Sequence, residues 1–376
     1  MLGNPLVIPA AMRDRTSNDY QPGERGTLMK WGTLKPYSCL SRAGKLRRLR
    51  TLAESALSQY ELHDPVLTHH VYATNLLYRV ITASGDRYML RLATPGWRTE
   101  IDLRSEAIWL EALARDTDVP VPVMLHARSG EYVLPMQDHS IPDCWNASLM
   151  RWVPGRDLGH YLTVENLESM GRLFAELHNH GANWNPPAGF TTRRFEHWLS
   201  RGEKNMLVDE QPTANVAHPV DCLKVLDSVT GKLLERLHRH VEGAYRAIDR
   251  SDLRVIHCDL WHNNIRLHQG VLHPLDFEDT VWGFRAHDIA MAMLDLLDDT
   301  DGERYSGLLA AFRRGYETLL SWPDDPIEPF QIGRLLWIVN WVARNQPESF
   351  THAVKRHLPV FEHYEQTGEV IRPPTS

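Results

Sequence analysis

The densest chemistry in this chain lies between Val255 and Glu278, in the run VIHCDLWHNNIRLHQGVLHPLDFE. His257, Asp259 and Asn264 fall in the spacing H-x-D-x-x-x-x-N, and Asp276 follows twelve residues after Asn264. Short β-type runs around His268-Gln269-Gly270 frame the set, so a loop leaving a strand can aim these side chains at one cavity. Phosphoryl transfer needs such a combination. One carboxylate accepts the proton of the attacking hydroxyl, while a side-chain carbonyl and a second carboxylate hold Mg²⁺ against phosphate oxygens. Asp259, Asn264 and Asp276 supply these groups as hard oxygen donors, and Mg²⁺ is commonly held by only one or two carboxylates plus phosphates. Asn and Asp taken singly are more often turn caps. The joint spacing of four positions is what favours chemistry.

The elements that must position this loop are readable on either side of it. An amphipathic helix over Lys45 to Tyr60 precedes two β-rich runs, Leu76 to Thr82 and Arg87 to Leu92, with Ala83-Ser84-Gly85-Asp86 suited to a hairpin turn between them. Pro95-Gly96 ends the second run, a helix reaches about Asp116, and apolar runs at Tyr132 to Met136 and Ser148 to Val153 complete a small sheet. After Pro154-Gly155 the pattern turns helical, at Val164 to His180, Val216 to Ile248, Ala286 to Leu297, Gly302 to Ser321 and Ile332 to Arg344. The expectation is an α+β chain of two lobes. Residues 1–40 read as a flexible extension, or as sequence upstream of a start at Met12 or Met29; 41–153 form a β-rich lobe and 154–376 a helical lobe.

Composition narrows the function classes. Lys and Arg number 41 against 48 Asp and Glu, the wrong balance for holding a nucleic acid backbone. Cys39, Cys144, Cys222 and Cys258 include no C-x-x-C pair, so neither a disulfide framework nor a cysteine zinc site is indicated, and a cytoplasmic protein is expected. No run of eighteen apolar residues argues for a membrane span.

With these residues in view, the chain resembles the aminoglycoside phosphotransferase and choline kinase group of the protein-kinase-like superfamily, over about Lys45 to Glu369. The resemblance implies a bilobal kinase-like fold with MgATP between the lobes, a small β-rich N-lobe and a mainly helical C-lobe. It makes Asp259 the catalytic base, His257 a brace of the loop, and Asn264 and Asp276 the metal ligands. Arg91 stands where protein kinases have a strand Lys for the phosphates, Glu106 is its best partner with Glu100 second, and Asp288 is similar to a scaffold Asp that braces the catalytic loop. Arg151 C=O and Val153 N–H are expected to meet the adenine edge. The stretch Leu67 to Asn75 is expected as a glycine-free loop in which Ala73, Thr74 and Asn75 cover the phosphates.

The acceptor is less legible. A small molecule bearing a hydroxyl, of the amino alcohol, amino sugar or homoserine-like kind, is the first expectation. A protein Ser/Thr kinase of the bacterial stress-response type and a non-catalytic nucleotide-binding relative are the alternatives. The acidic run Asp295, Asp298, Asp299, Asp301 and Glu303 would attract a cationic acceptor if it points inward, though such runs usually face water. Trp337 and Trp341, one helical turn apart, fit a packing stripe or a cage for a cation. A dinuclear hydrolase would need a second ligand motif, and the pairs His178/His180 and His238/His240 sit in helical patterns that send the two rings to different faces.

Overall fold

The computed structural model describes residues 35–198, 207 and 226–373. Residues 1–34, the larger part of the proposed extension, and positions 216–225 of the expected Val216 helix lie outside the described residues. The chain divides into two compact units. One, the sheet unit, holds residues 35–103 and 124–152; the other, the helical unit, holds 104–123 and 153–373. The architecture is α+β, a β-rich N-terminal region followed by a mainly helical C-terminal region.

The sheet unit is built on strands β1 (Val66–Tyr72), β2 (Leu76–Ile81), β3 (Arg87–Ala93), β4 (Leu134–Met136) and β5 (Trp145–Arg151), ordered β1-β2-β3-β5-β4 and antiparallel throughout. Alternation decides which face is dry: Leu76, Tyr78 and Val80 of β2 and Leu90 and Leu92 of β3 are buried with Ala147 and Leu149 of β5. Helix α1 (Arg42–Leu57) joins the same core with Leu49, Leu52, Ala53 and Ala56, and is started by Ser41, whose hydroxyl accepts the Gly44 N–H at 3.2 Å. Each fully buried Leu contributes roughly 1.5–3 kcal/mol. The β2–β3 hairpin turns where its spacing implied, with Gly85 at φ 87°.

One expectation is corrected here. Most of the stretch Leu67 to Asn75 is not loop but strand β1, in register with β2 from Val66↔Ile81 to Tyr72↔Leu76. As an edge strand it buries only Leu67 and carries Thr68, His69 and His70 at exposed positions, so the hydrophobic period that announces a strand is absent. The turn itself is short, closed by the Ala73 N–H donating to Asn75 O at 3.1 Å.

Helix α2 (Glu100–Asp116) contributes residues on both sides of the division at Leu103/Arg104. The helical unit then adds α3 (Val164–Asn183), α4 (Ser228–Ala247), α5 (Arg285–Asp299), α6 (Gly302–Tyr316), α7 (Glu328–Asn345) and α8 (Phe350–Thr367). Helices α3 and α6 touch backbone to backbone. A Cβ on Gly171 would stand 1.9 Å from Phe312 O, and one on Gly315 would stand 1.8 Å from Glu168 O.

Among these helices lie the short strands β6 (Arg156–Asp157), β7 (Arg254–Ile256), β8 (Ile265–His268), β9 (Val271–Pro274) and β10 (Val281–Gly283). β7 pairs with β10, and β8 with β9 and β6. Gly181 of α3 lets β7 lie close, since a Cβ there would fall 2.0 Å from Val255 O. These pairings fix the two segments that carry the expected site residues, 257–264 and 275–280, beside strands β7 and β9, which pack on α3. Among the described residues no helix is long and apolar enough to cross a membrane.

Candidate active site

The loop after β7 is held from below by one buried carboxylate. Asp288, 1% exposed near the start of α5, accepts the Cys258 N–H on Oδ1 at 2.7 Å, and its Oδ2 accepts from His178 Nε2 at 2.9 Å. His178 Nδ1 in turn accepts from the Tyr316 hydroxyl at 2.9 Å, so α3, α5, α6 and the loop meet at one hydrogen-bonded chain. Cys258 takes the left-handed conformation, φ 69°, which a non-glycine residue adopts only when its surroundings impose it. Its N–H is directed at Asp288, and Asp259 follows on the outward side of that turn.

His257 ties this loop to the next. The ring is fully buried; Nε2 donates to Leu275 O at 2.8 Å, and Nδ1 accepts the Asp259 N–H at 3.3 Å. That pattern requires the neutral Nε2–H tautomer, consistent with burial lowering the pKa of the ring. Asn264 O accepts the Leu275 N–H at 2.8 Å, so both backbone groups of Leu275 are anchored and Asp276 follows from a fixed point. Asp276 is also left-handed, φ 61°, at the start of a 3-10 turn over Phe277–Asp279. His257, Asp259 and Asn264 are thus joined by hydrogen bonds, and Asp276 follows directly on the anchored Leu275.

The amide of Asn264 is oriented by its own bonds. Nδ2 donates to Asp259 O at 2.8 Å and to Asp259 Oδ2 at 3.2 Å, which holds the carboxylate and leaves Oδ1 as the group turned away. A carbonyl oxygen so presented, with the Asp276 carboxylate on the neighbouring loop, fits a divalent cation that keeps phosphate and water ligands. Among the described residues no three His, Cys, Asp or Glu side chains are grouped as a metal cage, so such an ion would draw its remaining ligands from outside the protein.

Asp259 opens onto a pocket walled by Phe195, Trp198, Tyr245 and Trp337, with Asp279 and Arg334 as its other charged members. The cavity is narrow, about 20 Å³. Arg334 Nη2 stands 3.8 Å from Asp259 Oδ1, and its guanidinium lies over the Trp337 ring at 4.7 Å. Of the acidic run, Asp301 caps α6 by accepting the Arg304 N–H, Asp299 accepts from His262 Nε2 at 2.8 Å, and Asp298 stands 4.0 Å from Arg356. Asp295, half-buried, is the member that feels the site: burial pushes its carboxyl well above the usual range, with Arg334 opposing and Asp259, Asp299 and Asp298 adding to the rise.

The other expected residues are placed by the unit that holds them. Arg91 is buried on β3 in the sheet unit, its Nε 3.3 Å from Ser148 Oγ. Asn75, also in that unit, is buried and accepts the Thr94 N–H on Oδ1 at 3.3 Å. Arg151 ends β5, and since Trp152 N–H donates to Arg87 O, alternation turns the Arg151 carbonyl away from β3. Glu106, 2% exposed, is on α2 within the helical unit, and Val153 begins the second stretch of that unit.

Sequence reasoning passed over Arg334, Asp279 and the His178 partner of Asp288. Arg334 and Asp279 carry no motif, and His178 is 110 residues from Asp288, brought to it only by the tertiary fold.

Three fully buried rings, His178, His257 and His287, have their pKa lowered chiefly by burial, that of His287 to about 4. A folded pKa below the unfolded value means that the unfolded chain binds more protons in between. The stability these neutral rings contribute is therefore complete above about 6.5 and lost as pH falls toward 4. Urea denaturation at pH 7.5, 6.0 and 5.0 should show a falling midpoint, and a flat series would contradict neutral burial of these rings.

A β-rich N-terminal region followed by a mainly helical C-terminal region is the kinase-like fold. A family model described as the phosphotransferase enzyme family matches residues 70–323, and the chain belongs to that family of phosphotransferases. A solved microcompartment-associated aminopropanol kinase superposes with a TM-score of 0.69 at 22% identity, covering 85% of this chain and 98% of that one. An amicoumacin kinase, solved with AMP-PNP, Ca²⁺ and Ami, gives 0.69 at 16% identity, covering 89% and 98%. An uncharacterized protein of Synechocystis sp. is 34% identical over 162 residues, 38% of this chain, and the match spans 44% of that protein's length.

Proposed function

We propose that this phosphotransferase moves the γ-phosphate of ATP, with Mg²⁺, to the hydroxyl of a small molecule. The observation that carries the reading is the Asn264 amide, which fixes the Asp259 carboxylate through Nδ2 while offering Oδ1 to a cation. Asp259 accepts the proton of the acceptor hydroxyl as its oxygen forms a bond to the γ-phosphorus and the bond to the β–γ bridging oxygen breaks, releasing ADP. A divalent cation, when bound, supplies charge neutralisation on the phosphates and the leaving group. Asn264 and Asp276 would hold it, and the neutral His257 keeps their loops in register. Arg91, Glu106, Asn75, Arg151 and Val153 are proposed to serve the nucleotide, Arg91 through a forked guanidinium suited to phosphate.

The aromatic walls favour a small acceptor. The aminopropanol acceptor named for the first solved relative and the carboxylates near the pocket support an amine-bearing one. A cytoplasmic enzyme without nucleic acid or membrane partners suits such chemistry. ADP release coupled to a dye should be measured with Mg²⁺ and a panel of amino alcohols, amino sugars, hydroxy amino acids and a generic protein acceptor. Turnover dependent on a small alcohol is expected. Phosphate transfer to protein alone would instead support a Ser/Thr kinase.

A further inference from the structure

We propose that Arg334 reads a carboxylate on the acceptor, which makes the preferred acceptor a small hydroxy amino acid rather than a plain amino alcohol. The inference rests on the phosphotransfer reading above and narrows its substrate.

Arg334 is two-thirds buried, with a side-chain exposure of 31%, yet its closest anionic contact is the 3.8 Å approach to Asp259. That is well beyond the 2.7–2.9 Å of a charge-assisted hydrogen bond. Among the described residues none accepts a hydrogen bond from any of its donors, while the Trp337 face fixes the plane of the guanidinium. Holding Asp259 does not require it, because Asn264 already does so at 2.8 and 3.2 Å. A planar fork, stacked on Trp337, two-thirds buried and without a hydrogen-bond acceptor among the described residues, is suited to bidentate pairing with a carboxylate entering the pocket.

The opposite pole is present as well. Asp295, on the same face of α5 as Met291 of the pocket wall, makes no hydrogen bond or ion pair with a described residue. It nonetheless lies within the field of Arg334 and Asp259. An arriving ammonium would restore the charge that burial disfavours. Arg334 and Asp259 on the pocket wall, with the Asp295 carboxylate in their field, describe an acceptor carrying ammonium, carboxylate and hydroxyl.

Three acceptors separate these contributions: 2-amino-4-hydroxybutanoate, 3-aminopropan-1-ol, which lacks the carboxylate, and 4-hydroxybutanoate, which lacks the amine. With wild-type enzyme, MgATP and each acceptor, kcat/KM should fall on the order of 10- to 100-fold when either group is removed. In Arg334→Met the gap between the first two should collapse to within about threefold, with Arg334→Lys intermediate. In Asp295→Asn the gap between the first and third should close. Thermal unfolding of each variant checks that it folds.

Equal wild-type rates with and without the carboxylate would overturn the inference. So would an Arg334→Met loss of the same factor in kcat for every acceptor, which would place the guanidinium on the transferred phosphoryl group instead. Turnover confined to choline or amino sugars also overturns it, while leaving phosphotransfer standing. Failure with every alcohol, together with no binding of a magnesium-nucleotide, sinks both readings.

Discussion

Asp259→Asn is expected to lower kcat by on the order of 10²–10⁴ while changing the affinity for a magnesium-nucleotide by less than about threefold. The amide is isosteric and can still meet Asn264 Nδ2, so the loop geometry set by Cys258, Asp288 and His257 is retained. What is lost is a basic oxygen for the hydroxyl proton. On the proposed assignment other residues bind the nucleotide, so the loss should fall on kcat. Single-turnover rates and equilibrium nucleotide binding, measured on the same preparation, separate the two quantities. A variant that turned over at the wild-type rate would remove Asp259 from the chemistry.

Asp276→Ala is expected to act on the other step. Removing the carboxylate leaves Asn264 Oδ1 as the one remaining protein ligand of the pair, so the dependence of turnover on Mg²⁺ should move to concentrations about ten- to a hundredfold higher. Part of that loss would come back with Mn²⁺, which binds this kind of site more tightly. A second effect has the opposite sign. Asp276 is held at φ 61°, a conformation that costs a non-glycine residue on the order of 1–3 kcal/mol. Asp276→Gly should therefore show the same Mg²⁺ defect with a higher unfolding temperature than Asp276→Ala. Metal titrations of the rate, alongside thermal unfolding, check both. An unchanged Mg²⁺ requirement would show that the ion is held elsewhere.

How much of this was legible in the sequence depended on the range over which each signal acts. His257, Asp259, Asn264 and Asp276 sit within twenty residues, and the hydrogen bonds joining them follow from that local spacing and the β8–β9 hairpin between them. The paired strands β2 and β3 were readable for the same reason, since their alternating Leu, Tyr and Val side chains build one dry face. Strand β1 was hidden because an edge position asks little burial of its residues. Helix α8 escaped notice because Pro359 interrupts its pattern, although Phe350, Val354, His357 and Phe361 recur at helical spacing and are buried.

The acceptor end of the site was the least legible. The acidic run is divided between two helices, because α5 ends at Asp299 and Asp301 begins α6 as its cap. Asp295 lies in the field of Asp259, and Asp299 accepts from His262 of the same loop. Trp337 was visible as half of a pair with Trp341, but its role beside Arg334 depends on where α7 crosses the 258–259 turn. Such a crossing is set by the packing of whole helices, which no local pattern encodes.

The most direct test is a crystal structure with Mg²⁺ and a non-hydrolysable ATP analogue. It should show the ion coordinated by Asn264 Oδ1 and an Asp276 carboxylate oxygen, with Asp259 uncoordinated and facing the terminal phosphate. An ion bound with neither of those two side chains among its ligands would contradict the account.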